Sequence, residues 1–162
     1  ASEGLDMHVR VARRGSGVLV ALLLTASLIP AFAPDHAGAG ERFARRLRML
    51  SLTNEARESH DRADVKLNWL LSRYARQHSV QMANKGYLYH SHDDTLVDIL
   101  SPYHFSVGGE NVGVGSTVEG LQDAFMASPL HRENILRTAF DHVAIGMASV
   151  DGHLWVTVIF YG

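Results

Sequence analysis

The residues best suited to chemistry are histidines and one glutamate that stand in separate segments of the chain. Glu110 lies among four glycines in "HFSVGGENVGVGS" (104–116), a setting that a solvated glutamate does not need. His90 and His92 have H-x-H spacing in "YHSHDD", which in an extended segment points both rings the same way. His131 stands in "SPLHRENIL". Two histidines and a carboxylate from distant segments suit either a metal site or an acid–base site, and their spacing leaves both open.

Other chemistries lack their motifs. The glycine segment has Val118 where a dinucleotide fingerprint needs a third glycine, and Val114 and Gly115 where a phosphate loop needs Lys-Ser/Thr. No G-x-S-x-G motif and no cysteine is present, which argues against those two kinds of nucleophile. The glycines themselves predict a tight, close-packed turn.

Helices are expected first along the chain. "ERFARRLRMLSLTNEARES" (41–59) predicts an amphipathic helix. A second helical pattern runs from Leu67 to Gly86, where glycine is typical of the residue after a helix. His78 lies on the apolar stripe of this helix, which predicts a core or half-buried histidine rather than a ligand. The expected inner face of the first helix is Phe43, Leu47, Leu50 and Asn54.

The second half of the chain adds shorter elements. A helical piece is expected near Thr95 to Leu100, and Ser116 to Glu119 match a capping box that starts another helix. Pro129 ends that helix. Its expected inner face is Leu121, Ala124, Phe125 and Ser128.

A β-hairpin is expected at the C-terminal end of the chain. "HVAIGMASV" and "HLWVTVIFY" flank Asp151-Gly152, a dipeptide that favours a tight hairpin turn. Helices followed by a hairpin, without βαβ alternation, predict the α+β class, an antiparallel sheet covered by helices.

Composition and the N-terminus bear on partners and location. The 162 residues suit one domain, and fifteen basic and seventeen acidic residues are mixed without a basic stripe, which argues against nucleic acid. Three arginines precede the apolar run 18–29, which is too short to span a bilayer, and small-x-small sites follow. This order predicts a secretory signal, with upstream residues, over 1–39, and one domain over 40–162. An uncleaved membrane anchor is the alternative.

Five segments in order resemble the CAP superfamily of cysteine-rich secretory, antigen 5 and pathogenesis-related proteins, especially its cysteine-free bacterial SCP-like branch. The resemblance covers about residues 42–162. It implies an α-β-α sandwich with a central antiparallel sheet. The matching segments are "MLSLTNEARES", "LNWLLSRYARQHSVQMANKGYLYHS", "GGENVGVGS", "FMASPLHRENIL" and "IGMASVDGHLWVTVIFYG".

The resemblance also implies a cleft lined by two histidines and two glutamates. His90, Glu110 and His131 match three of these positions, and Ser128 stands where plant and animal members have the second glutamate. Two imidazoles and one carboxylate can bind zinc or another divalent ion that keeps one coordination position open for water. Without metal, the same residues form an acid–base cluster. Ser128 is expected to donate a hydrogen bond to Glu110 or to a ligand.

The resulting functional hypothesis is a secreted bacterial protein whose cleft binds an extracellular lipid, sterol-like or peptide ligand, with a divalent metal as a candidate cofactor. Binding is favoured over catalysis, and membrane contact is expected only through an uncleaved leader. Two alternatives stay open: a metal-dependent hydrolase of peptide or cell-wall material, and an envelope protein-interaction module.

Overall fold

The computed structural model describes residues 38–162. The predicted leader, 1–39, lies outside the described residues except for its last two. Within the described part, no helix is long and apolar enough to cross a membrane. The helices are α1 (Ala39–Glu58), α2 (Leu71–Lys85), α3 (Asp93–Leu100), α4 (Val118–Ala127) and α5 (Pro129–Leu136). The strands are β1 (Lys66–Leu67), β2 (Gly108–Gly115), β3 (His142–Val150) and β4 (His153–Tyr161).

The four strands form one sheet in the order β1-β3-β4-β2. β4 pairs antiparallel with both β2 and β3, whereas the two-residue β1 pairs parallel with β3. The turn between β3 and β4 contains Asp151 and Gly152 at φ 50° and 76°, which are the positive values that a type I′ hairpin turn requires. The predicted C-terminal hairpin is confirmed.

Helices cover both faces of this sheet, because each strand sends alternate side chains to opposite sides. On one face, Val143 and Val156 join a core with Met49 of α1 and Phe125 of α4. The other face has a smaller core, made by Leu71 and Ala75 of α2, Leu100 of α3, and Ala144, Ile159 and Tyr161 of the sheet. The predicted α+β class and α-β-α sandwich are confirmed.

The inner face of α1 differs from the prediction. Phe43 and Leu47 are 50% and 38% exposed, and the buried residues are Met49, Thr53 and Arg57. Arg57 tolerates burial because its guanidinium donates hydrogen bonds to backbone carbonyl groups, which replace water around the charge. The acceptors are Ala63, Ile135, Arg137 and Phe140.

α2 ends where the sequence predicts but begins four residues later. Gly86 has φ 73° and closes the helix, as predicted. The helix begins at Leu71 rather than Leu67, because Leu67 pairs with Val143 in the sheet.

The glycine segment is an edge strand rather than the predicted tight turn. None of the β2 glycines has positive φ, but the strand is closely packed. A Cβ on Gly109 would lie 2.6 Å from Asn134 Oδ1, and one on Gly113 would lie 3.0 Å from Phe125 Cε1. These glycines therefore allow α4 and α5 to approach β2.

The start and inner face of α4 also differ in detail. Thr117, not Ser116, caps the helix, with its side chain accepting from the N–H of Gly120. Ala124, expected on the inner face, is exposed, and Gln122 is buried there. The helix ends before Pro129, as predicted, and Pro129 starts α5.

Candidate functional site

Glu110 is placed by the alternation of β2. Odd-numbered residues of this strand face α4 and α5, where Asn111 donates to the carbonyl oxygen of His131. Glu110 therefore points to the opposite face, towards α2. It pairs in register with Ile159, which belongs to the core under α2 and α3.

Glu110 is buried, with 8% of the residue exposed, and its carboxylate accepts three hydrogen bonds. His90 Nδ1 lies 2.9 Å from Oε1, the N–H of Ser91 donates to Oε1 at 2.9 Å, and Ser91 Oγ donates to Oε2 at 2.7 Å. An ionised carboxylate only accepts, so Nδ1 of His90 carries the proton and Nε2 is left for other contacts. The structure thus brings together two of the predicted site residues.

The charges of this pair stabilise each other. Burial alone raises the pKa of Glu110, but the hydrogen bonds from His90 and Ser91 outweigh burial and hold that pKa below its usual value. In return, the hydrogen bond to Glu110 raises the pKa of the His90 imidazole, although partial burial opposes the change. These opposite shifts widen the pH range over which Glu110 and His90 form an ion pair.

His78 belongs to the same cluster, although its sequence position predicts a core residue and not a neighbour of Glu110. It is buried, as predicted, but its Nδ1 lies 3.7 Å from Glu110 Oε2 and 3.3 Å from Thr157 Oγ1. Burial lowers the pKa of His78 in spite of the nearby carboxylate, which favours the neutral form of this ring. Its helical position signalled burial, but nothing local in the sequence signalled Glu110 as its neighbour.

His131 approaches from the other side of the sheet. It lies on α5, with its ring packed edge-on against Phe125 at 5.0 Å between centroids. Burial and then the charge of His90 lower the pKa of His131. The charge of His90 therefore acts on His131 across the edge strand. Among the described residues, no hydrogen bond joins the ring of His131 to Glu110.

The serine that donates to Glu110 is Ser91, not Ser128. Ser128 lies between α4 and α5, where its backbone N–H closes α4 by donating to Ala124 and Phe125. Among the described residues, Ser128 does not donate the expected hydrogen bond to Glu110. Ser91 was missed although it directly follows His90 in the sequence.

A cavity of about 390 Å³ lies beside the cluster. His78, His90 and Ser91 contribute to its wall, and α2 supplies much of the remainder. Nε2 of His78 is buried and has no hydrogen-bond partner among residues 38–162. The other lining residues are Tyr74, Gln77, Gln81, Lys85, Tyr89, His92 and Thr95.

The side chains do not form a ready metal site. Within the described part of the chain, no three His, Asp or Glu residues are grouped so that they could hold an ion. Both oxygens of Glu110 already accept hydrogen bonds, and Nδ1 of His90 is used by the same carboxylate. The arrangement fits an acid–base or ligand-binding cluster, and the expected metal stays a prediction.

Comparisons with known proteins place this chain in a family. Residues 50–160 match the family model for CAP, the cysteine-rich secretory protein family. The chain is 30% identical over 128 residues to the protein YkwD of Bacillus subtilis (strain 168), covering 76% of this chain and 48% of that protein. The chain therefore spans about half the length of this curated relative.

Solved structures agree on the fold. An extracellular protein containing an SCP domain from Bacillus anthracis str. Ames has a TM-score of 0.65 at 21% identity, covering 77% of this chain and 44% of that one. An outer surface protein from Borrelia burgdorferi has a TM-score of 0.64 at 17% identity, covering 73% of this chain and 92% of that one. With the family match over most of its length and the expected order of helices and strands, this cysteine-free chain belongs to the CAP family.

Proposed function

We propose that this CAP domain binds an extracellular ligand in the cavity beside His78, His90 and Glu110. The observation that carries the proposal is Nε2 of His78. His78 is 4% exposed and contributes to the cavity wall, and its Nε2 is buried without a hydrogen-bond partner among the described residues. Buried polar groups are rarely left without a partner, so a ligand or a water is expected to contact this nitrogen.

The chemistry of the cavity indicates what kind of ligand fits. Its wall combines the rings of Tyr74 and Tyr89 with amide, hydroxyl and imidazole groups. A volume of about 390 Å³ lies within the usual range for small-molecule sites. We propose a ligand with an apolar body and a hydroxyl or carbonyl group, such as a sterol-like molecule, a lipid or a short peptide.

An extracellular location supports this choice of ligand. The Bacillus anthracis neighbour is described as an extracellular protein, and the N-terminal pattern of this chain predicts a secretory signal. We propose that the domain acts outside the cytoplasm.

The test is native mass spectrometry of the protein from a secreting host, followed by melting measurements with a panel of lipids, sterols and peptides. Gln81→Trp fills the cavity without touching the hydrogen bonds of Glu110, and we expect it to remove the bound mass or the melting shift. Glu58→Trp, at the exposed end of α1, is the matched control. A bound molecule that both variants retain equally would place the ligand elsewhere.

Hydrolysis is a second candidate, favoured by the orientation of His90. A carboxylate fixes Nδ1 of this half-exposed imidazole and leaves Nε2 to exchange protons with a substrate, an arrangement typical of general acid–base residues. We expect any turnover of a peptide library to disappear in His90→Gln. Turnover that is equal in His90→Gln and the wild type would rule out this role.

A further inference from the structure

A group of large apolar side chains remains exposed at the start of α1 and of α2. Phe43 is 50% exposed, Trp69 is 47% exposed and Leu70 is 67% exposed. The rings of Phe43 and Trp69 stack at 5.6 Å with an interplanar angle of 9°. We call these three residues, with Leu47 at 38% exposure, the Trp69 surface. Water-facing aromatic and aliphatic side chains in one group suggest an interaction site.

A strongly basic cavity of about 510 Å³ adjoins this surface. Two helices supply two arginines each, and no aspartate or glutamate of the described residues belongs to its wall. The lining residues are Arg42, Arg46, Arg73, Arg76, Tyr74 and Gln77. A cavity with this lining attracts anions, and guanidinium groups match the geometry of phosphate oxygens.

Arg46 joins the two features. Its guanidinium carbon lies 5.7 Å from the centroid of the Trp69 ring, and its Nε donates to the carbonyl oxygen of Ile145 at 2.8 Å. Burial lowers the pKa of Arg46, and the charges of Arg76 and Arg42 lower it further, so the positive charges crowd together. Fixed positive charge and exposed aromatic rings therefore share one region of the molecule.

We propose that this region docks on an anionic phospholipid bilayer. Headgroup phosphates would lie in the basic cavity, which we call the arginine cavity, and the Trp69 surface at the level where headgroups meet acyl chains. The indole of Trp69 favours that level because its ring is apolar and its N–H is polar. Each arginine near an anionic membrane strengthens binding through charge attraction. This contact is made by the folded domain and is separate from any contact through the leader. It is also independent of the ligand proposed for the cavity of about 390 Å³ beside His78, which we call the His78 cavity.

The test uses Trp69 as a local reporter in the full chain. The protein has two tryptophans, so Trp155→Phe leaves Trp69 as the only indole. Vesicles of phosphatidylglycerol are expected to shift its emission to the blue, whereas phosphatidylcholine vesicles are not. In this background, Arg73→Gln is expected to weaken the phosphatidylglycerol affinity about fivefold, the effect of one arginine near a charged surface.

Arg48→Gln is the matched control for charge. Arg48 is also exposed, lies on α1 and pairs with Glu119, but it does not belong to the arginine cavity. We expect the control to bind vesicles as the unsubstituted reporter does. Arg73 is exposed and has a described hydrogen bond only through its backbone N–H, so its substitution leaves the fold intact.

Four results would overturn the proposal. Sedimentation with vesicles but no shift of Trp69 would assign binding to the leader. A shift with millimolar inorganic phosphate but not with vesicles would indicate a free anion as the ligand. A shift that grows with protein concentration without vesicles would indicate a second copy of the chain. Equal weakening by Arg73→Gln and Arg48→Gln would mean that only net charge matters.

Discussion

A buried carboxylate keeps its charge only when hydrogen-bond donors replace the water that it loses. Glu110 meets this condition through one histidine and both polar groups of Ser91. The same hydrogen bonds orient His90, whose side chain is 58% exposed and so reaches solvent and ligand. Glu110 therefore fixes the orientation of the His90 imidazole, a role that we call anchoring.

Glu110→Gln tests this anchoring. The amide keeps the shape of the side chain but removes the charge, so the pKa of His90 should fall from its raised value towards that of free histidine. An NMR titration of the His90 ring measures this change. We also expect a loss of about 1–3 kcal/mol in the free energy of unfolding, since charged hydrogen bonds to a buried acceptor are weakened.

Glu119→Gln is the control for this substitution, because Glu119 is exposed and pairs with Arg48. It should leave the titration of His90 unchanged and lower the free energy of unfolding far less than Glu110→Gln does. An unchanged His90 titration in Glu110→Gln would contradict the anchoring role.

The two histidines beside Glu110 are expected to change stability with pH in opposite directions. The lowered pKa of His78 means that, below about pH 6.5, the unfolded chain takes up a proton that the folded chain does not, so acid destabilises the fold. The raised pKa of His90 adds stability below about pH 6.5 that is lost as the pH rises through its folded-state value.

Urea unfolding at about pH 5.5 and 8 separates these effects. His78→Gln should reduce the loss of stability on acidification, whereas His90→Gln should increase it. Each variant thus serves as the control for the other. The same pH profile in both variants and the wild type would show that neither ring is coupled to folding.

Arg57 links the end of α1 by hydrogen bonds to chain segments that are mostly far away in sequence. Its guanidinium reaches carbonyl groups between residues 63 and 140. Lysine has one nitrogen and cannot reproduce this fork of donors. We expect Arg57→Lys to lower the free energy of unfolding by roughly 3 kcal/mol, measured in urea. Arg48→Lys, on the exposed face of the same helix, should leave the free energy of unfolding nearly unchanged.

The contact between α2 and β3 depends on a glycine. A Cβ on Gly146 would overlap the backbone of Ala75 and Arg76, and Ser79 Oγ donates to the Gly146 carbonyl oxygen at 3.1 Å. Backbone atoms cannot rotate aside as side chains do, so Gly146→Ala should destabilise the protein by about 3 kcal/mol or prevent folding. Gly40→Ala, which has open space, is the control. Equal melting temperatures for the two variants would contradict this close approach.

The elements that the sequence predicted correctly are those specified by local patterns. Gly86 ends α2 and Asp151-Gly152 turns the hairpin because both positions need positive φ, which nearby residues already signal. The misplaced face of α1 depends on Arg57, whose acceptors lie mostly more than seventy residues away. The β2 glycines imitate a turn in sequence, but their small size serves packing against α4 and α5.

The same distinction holds for the site. The unusual surroundings of Glu110 and the spacing of the histidines were visible in the sequence, and the structure brings Glu110 and His90 together. The neighbours of His78 and the position of His131 across the sheet were not visible. They depend on which face of β2 each helix covers, and strand alternation alone does not tell the two faces apart.

The two proposed binding regions are neighbours on the molecule. The His78 cavity and the arginine cavity share Tyr74 and Gln77, both on α2. A domain docked through its arginines would therefore hold the His78 cavity close to the headgroups. An apolar ligand leaving a membrane would have a short path to the cavity, which links the two proposals physically without making either depend on the other.

The walls of the His78 cavity should differ in local stability. α2 buries one face with six residues and the central strands are buried along most of their length, whereas α3 has only Leu100 buried. Backbone amides open easily where few apolar side chains are buried, so those of α3 should exchange hydrogen through local opening and those of β3 and β4 only through global unfolding. Hydrogen exchange followed by NMR measures both.

Because His92 and Thr95, at the start of α3, contribute to the cavity wall, a ligand that binds there should slow exchange in α3 and leave a matched sample of Gln81→Trp unchanged. If α3 exchanges as slowly as β4 without ligand, the cavity is rigid on all sides, and ligand entry must use the existing opening rather than movement of α3.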